Sequence, residues 1–249
     1  MFEKLKEIWR ETRDFREIEA EFALVVPEAS RRDELLKTFR GITGNIQCPH
    51  NESHTLTFAV EMLRFCQENP GVDGVFVEAG CFKGGSSAKF SHVVKSLDKR
   101  LLIFDSFEGM PDNQEAHDRS IFGYSIKGWF GKGEFCGRLE EVKNNIEVHG
   151  VPEVCDFYQG WFENTLPGFD QPVLGAYIDV DLASSTRTCV KHLYPRLVAN
   201  GFMVSQDGDF PLVIEVLEDD RFWEEEVGCR KPRMVGLGTH KMIRIYKDV

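Results

Sequence analysis

The chain of 249 residues is 42% hydrophobic, which suits one α/β domain with a modest helical extension better than two independent domains. Its formal net charge of −11 argues against a nucleic-acid backbone or an anionic membrane as the main partner, and no apolar run approaches the roughly 20 residues needed to span a bilayer. The opening segment MFEKLKEIWRETRDFREIEAEF has no signal-peptide core, and the scattered cysteines (Cys48, Cys66, Cys81, Cys136, Cys155, Cys189 and Cys229) form no CxxC pair, so reduced thiols in the cytoplasm are expected.

In chain order, Phe2 to Phe39 reads as amphipathic helix interrupted near Pro27, and Thr55 to Glu68 as a second helical region ended by Pro70 and Gly71. Residues 1–70 are thus read as a helical extension and 71–249 as the catalytic domain. Short apolar strands then alternate with helices. The strands are expected at Gly74–Ala79, Leu101–Phe104, Cys155–Tyr158, Leu174–Ile178 and Phe202–Ser205. The helices are expected at Ser86–Leu97, Leu139–His149, Ser184–Leu197 and Leu212–Glu225. That order predicts a parallel sheet covered on both faces, and the tail Met234–Tyr246 predicts an antiparallel hairpin at its end. Ligands of such sheets bind beyond the carboxyl ends of the strands.

The turn after the first strand, VFVEAGCFKGGSSAKF, has the spacing E-x-G-x-x-x-G rather than a dinucleotide or P-loop pattern. Gly80, Gly84 and Gly85 allow a tight turn close to a ligand, and Ser86 and Ser87 are candidate helix caps. Glu78 would repel a phosphate but welcome a nucleoside bearing an ammonium group. Asp105, with Ser106 after it, ends the second strand, where an acid can accept both ribose hydroxyls. Asp179-Val180-Asp181 and Gln206-Asp207-Gly208-Asp209 end two later strands. Neighbouring strands lie about 4.8 Å apart, so these oxygen-only ligands can meet around Mg²⁺, Mn²⁺ or Ca²⁺.

The pieces VEAGCFKGGSSA, IFDSFEGMP, YQGWFENTLP, YIDVDLASST and LYPRL-x₃-GF, in this order, resemble the macrocin O-methyltransferase family. The resemblance implies an α/β, Rossmann-like class I methyltransferase fold, with S-adenosylmethionine as donor and Mg²⁺ as cofactor. It implies that Glu78 and Gly80 flank the methionine portion and that Asp105 and Ser106 hold the ribose. It places Gly160, Trp161 and Phe162 at the adenine, Asp179 near both sulfonium and metal, and Gln206 and Asp207 in the metal site. Two departures stand out. The family usually reads Asp-Asp where this chain has Gln206-Asp207, which removes one negative charge. The family's general base is a His between the second and third strands, where this chain has His117, out of clean alignment.

His117 is a candidate base because imidazole titrates near the working pH. His50 and His54 could close over the site from the amino-terminal segment. The insert IFGYSIKGWFGKGEF, with Phe122, Tyr124, Trp129, Phe130 and Phe135, is read as a lid over an apolar acceptor pocket. His92 is read as a surface or packing residue, and Phe222 and Trp223 as core or dimer contacts. The expected function is methyl transfer to a hydroxyl of a small natural product, a sugar or glycoside, with metal assistance, and the amino-terminal helices point to a homodimer. The rival readings are a metal-independent methyltransferase for a carboxylate or acidic hydroxyl, a nicotinamide-dependent oxidoreductase and a silent nucleoside-binding module.

Overall fold

The computed structural model describes residues 2–48, 52–115 and 118–248, with side chains from residue 12 onward. Pro27 lies between helices α1 (Phe2–Val25) and α2 (Ala29–Asn45), as its missing N–H dictates, and α3 (Glu52–Glu68) follows. The alternating part runs β1 (Val75–Ala79), α4 (Gly85–Ser96), β2 (Leu101–Asp105), α5 (Leu139–His149), β3 (Cys155–Gln159) and α6 (Phe162–Thr165). It continues through β4 (Val173–Ile178), α7 (Ala183–Leu193), β5 (Leu197–Ser205) and α8 (Pro211–Glu218) to the pair β6 (Met234–Val235) and β7 (Ile243–Tyr246). The sequence placed these strands within a few residues; β5 begins earlier than expected, at Leu197, and the short α6 was not anticipated.

The strands form one sheet in the order β3-β2-β1-β4-β5-β7-β6. The first five are parallel, β7 runs antiparallel to β5, and β6 antiparallel to β7. The chain therefore steps outward from β1 to β3, then returns to build β4 and β5 on the other side of β1. This reversal opens a crevice at the carboxyl ends, the usual ligand position of such sheets.

Parallel strands with helices on both faces must bury both sets of alternating side chains, and β1 and β4 are buried at every position. On one face Phe76, Tyr177 and Phe202 pack under α3 and α4, where Phe58 contacts all three rings and Phe90 at centroid distances of 4.9–6.2 Å. On the other face Val77, Leu102, Phe104 and Met203 meet residues of α7 and α8, such as Val190 and Leu217. Phe222 and Trp223 are core: both are buried, and the Trp223 indole N–H donates to the Leu217 carbonyl at 2.8 Å.

Candidate functional site

A cavity of about 270 Å³ opens at the carboxyl ends of the strands. Gly80 and Phe82 line it from the turn after β1, Asp105, Ser106 and Met110 from the loop after β2, and Trp161 and Phe162 after β3. Asp179, Val180 and Asp181 follow from β4, and Gln206 and Phe210 from β5. Trp129 and Phe135 of the insert and Lys241 of the tail complete the wall.

Gly80 has φ +83°, and a Cβ there would lie 1.9 Å from the Asp179 carbonyl oxygen. The turn is therefore glycine because β1 and β4 nearly touch as they leave the sheet, a closer constraint than approach to a ligand. Gly84 serves as N-cap of α4 in a left-handed conformation, and it and Ser86 lie off the cavity wall. The expected serine caps do not form: α4 has no side-chain cap, and the Ser87 hydroxyl instead donates to Glu78 Oε2 at 2.5 Å. The reason is burial. Glu78 is fully enclosed on the α4 side of the sheet, off the cavity wall, and burial pushes its carboxyl up to about 8 despite the hydroxyls of Ser86 and Ser87. Its Oε1 is buried with no hydrogen-bond partner among the described residues.

Asp105 both faces the cavity and ties its loops. Oδ2 accepts the Cys81 N–H at 2.8 Å and Oδ1 the Phe107 N–H at 2.7 Å. Burial raises its pKa, and these N–H groups oppose that rise. The Ser106 hydroxyl, beside it, accepts the Glu108 N–H at 3.1 Å and donates to the Gly109 carbonyl at 3.2 Å. Gly160 has φ +144° and turns the chain off β3, so that Trp161 and Phe162, rather than the glycine, reach the cavity.

The acids beyond β4 and β5 converge. Carboxylate oxygens of Asp179, Asp181 and Asp207 all lie within 4.8 Å of one another. Asp181 brings the third carboxylate, and Gln206 lies beside the cluster as a buried residue of the cavity wall. Asp181 reaches the cluster through a left-handed backbone, φ +59°. Asp207 Oδ2 accepts the N–H groups of Val180 and Asp181 at 3.0 Å each, which locks the two strand ends together. Burial, then the neighbouring negative charges, raise the pKa of Asp181 well above its ordinary value and that of Asp207 to about 8.

Asp209 belongs to a different arrangement. It is fully buried, and its Oδ1 accepts the Lys241 ammonium at 2.7 Å while Oδ2 accepts the Tyr124 hydroxyl. Burial would lower the Lys241 pKa, but Asp209, with Asp207 and Asp179 beyond it, raises it, so the group stays charged. Gly208 lets the tail approach: a Cβ there would lie 2.5 Å from the His240 carbonyl oxygen. Lys241 was not foreseen, because its distance along the chain from the motifs gave no signal.

Of the predicted histidines, His117 and His50 lie outside the described residues. His54 lines a separate cavity with Asp14, Glu17 and His240, between α1 and the tail hairpin, and not the site at the strand ends. Asp14, Glu17 and His240 could also share an ion, but Arg13 already pairs with Asp14 at 2.7 Å and Glu17 is largely exposed. His92 packs against α5, its Nε2 lying 3.0 Å from the His149 carbonyl oxygen. The amino end of α7 is capped from another segment. Glu115, from the loop after β2, accepts the Ala183 and Ser184 N–H groups at 2.7 and 2.9 Å. No helix among the described residues is long and apolar enough to cross a membrane.

Among solved structures the fold is similar to the O-methyltransferase NovP, with a TM-score of 0.60 and 21% identity over 75% of this chain and 76% of that one. It is also similar to the calicheamicin methyltransferase CalS11, with a TM-score of 0.58 and 17% identity over 88% and 93%. These likenesses give the class I methyltransferase fold. In sequence the chain is 33% identical over 159 residues to the 8-demethyl-8-(2,3-dimethoxy-alpha-L-rhamnosyl)-tetracenomycin-C 4'-O-methyltransferase of Streptomyces olivaceus, covering 59% of each chain. It is 26% identical over 170 residues to the mycinamicin III 3''-O-methyltransferase of Micromonospora griseorubida, covering 64% of this chain and 66% of the relative. The chain thus spans somewhat under two thirds of the length of these curated relatives. The macrocin-O-methyltransferase (TylF) profile matches residues 54–225, most of the crevice-forming sheet, and the chain belongs to that family.

Proposed function

We propose that the protein transfers the methyl group of S-adenosylmethionine to a hydroxyl of a sugar or glycoside, with a divalent cation held by Asp179, Asp181 and Asp207. The observation that carries this reading is the convergence of three carboxylates beside an apolar, aromatic cavity at the carboxyl ends of the strands. Residues 71–249 then form the catalytic part, and residues 1–70 the helical extension.

The donor end fits a charged nucleoside. Buried Glu78 stands behind the turn after β1, where its hydrogen bond from Ser87 ties that turn to α4. Asp105 keeps lone pairs beyond the two its loops occupy and can accept ribose hydroxyls. Trp161 and Phe162 offer flat apolar surface to a base.

The acceptor end fits a hard cation. Its donors are oxygens, as Mg²⁺ or Mn²⁺ requires, and burial first, then the neighbouring carboxylates, raise the pKa values of Asp181 and Asp207, a cost that a bound cation would offset. Lys241 pairs directly with Asp209, next to the three carboxylates. When bound, the cation supplies Lewis acidity that lowers the pKa of the acceptor hydroxyl.

The residues then orient the two substrates. An Asp179 oxygen takes the proton leaving the acceptor hydroxyl as its oxygen forms the new O–CH₃ bond and the sulfonium C–S bond breaks. The aromatic wall excludes water, and holding the hydroxyl in line with the methyl lowers the entropic part of the barrier. Gln206 leaves the wall one charge less negative than the family's Asp-Asp pair.

The test is calorimetric titration of S-adenosylhomocysteine with and without Mg²⁺, followed by transfer of labelled methyl groups to a panel of glycosides. Micromolar binding of S-adenosylhomocysteine and metal-dependent transfer support the reading. Failure to bind it under either condition sinks it.

A further inference from the structure

We propose that Trp129 is the face on which the acceptor's pyranose ring stacks, held in place by Tyr124 through the buried Asp209. The inference rests on the methyltransferase reading of the same cavity and adds a specificity-determining residue to it.

Trp129 is 46% exposed, more than any other aromatic ring among the described residues lining the cavity. An exposed indole at a cavity wall offers a flat apolar face to a ligand that enters the cavity. Its place is fixed from behind. Tyr124 stacks against it at 6.0 Å with the ring planes 29° apart. The Tyr124 hydroxyl donates to Asp209, which is fully buried and also held by Lys241. The neighbouring Phe130 packs edge-on against Phe210 at 5.1 Å, and the Ile121 N–H donates to the Asp209 carbonyl at 2.9 Å. The insert is thereby fastened to the loop after β5, and Glu134 and Gly133 also bond Met110 of the loop after β2.

The chemistry opposite selects the ring. Asp179, Asp181, Gln206 and Lys241 present hydrogen-bonding groups to the same cavity. A ligand between that wall and an indole face needs hydroxyls on one side and polarised C–H bonds on the other. The negative π-face of tryptophan attracts such C–H groups. A pyranose has this two-sided character, whereas a planar aromatic ring has two apolar faces and no ring of hydroxyls.

The experiment uses the full chain saturated with S-adenosylhomocysteine, with methyl α-L-rhamnoside and methyl α-D-glucoside as sugar probes and 7-hydroxycoumarin as a planar one. Saturation-transfer NMR reports which probe protons touch the protein. The expected result is transfer to the ring C–H protons of a sugar probe. Affinity falls at least tenfold in Trp129→Ala, recovers substantially in Trp129→Phe and weakens severalfold in Tyr124→Phe. Binding of S-adenosylhomocysteine and the melting temperature of Trp129→Ala stay at the wild-type values. The proposal is overturned if Trp129→Ala binds the sugars as wild type does, if neither sugar binds, or if the coumarin alone binds in a Trp129-dependent way. Loss of S-adenosylhomocysteine binding by the wild-type protein marks failure of the methyltransferase reading itself, which separates the two.

Discussion

Asp181 shows how much one residue's backbone can decide. In an extended conformation its side chain would continue the direction set by β4; at φ +59° it returns to within 4.8 Å of Asp179 and Asp207. A non-glycine residue with positive φ carries strain that the surroundings must offset, and the two N–H bonds to Asp207 do this here. Asp181→Asn removes one of three carboxylates, so the Kd for Mn²⁺, measured by calorimetry, should rise about tenfold or more. Binding of S-adenosylhomocysteine without metal should not change. An unchanged Mn²⁺ affinity would remove Asp181 from the cation site. The acids were visible in the sequence as a run after a strand. Which of them meet was not, because Asp209 and Asp207 are two residues apart yet face Lys241 and the cluster respectively.

Between elements, ion pairs join what the chain separates. Glu21 on α1 meets Arg64 on α3 at 2.7 Å and Arg244 on β7 at 2.9 Å, and Arg244 also approaches buried Glu61 at 3.4 Å. Burial would raise the Glu21 pKa, but the hydrogen bonds and charges of both arginines outweigh it and hold the pKa below 4.5. A carboxylate with a depressed folded-state pKa contributes stability above its unfolded value, and that contribution is lost as pH falls through the folded value. Acid unfolding followed by circular dichroism should therefore show the wild type more stable than Glu21→Gln at pH 6, with the difference shrinking below pH 4.5. A difference that stays constant through that range would rule out this linkage. Helical periodicity foretold these helices, but nothing in it foretold that Glu21 would lie beside a residue 223 positions away.

At the scale of the whole molecule, the cavity is assembled from seven stretches that meet only because the sheet reverses direction at β1. A ligand that binds this assembly and not the unfolded chain must stabilise the fold, by about 2.7 kcal/mol at a hundredfold excess over Kd. For a chain of this size each kcal/mol shifts the melting temperature by about 2–4 °C. Thermal melts with S-adenosylhomocysteine, Mg²⁺ and both should show an upward shift for the first and a larger one for the pair. Addition of a chelator should cancel only the metal's share. Equal shifts with and without metal would favour a metal-independent site.

The layered α/β class, the strand and helix order, the end hairpin and the acids at the ends of β2, β4 and β5 were legible in the order of residues alone. These depend on local periodicity and on turn residues, which neighbouring positions encode. The sequence also carried the family, through five motifs in order. Only the tertiary structure decided that Gly80 is demanded by the Asp179 carbonyl, that Glu78 is buried against Ser87, that Glu115 caps α7 and that Lys241 reaches Asp209. Each of these is a contact across the crevice or between layers, fixed by the twist and reversal of the sheet. Spacing along the chain holds no record of such a contact, because burial and charge pairing select it only once the strands are side by side.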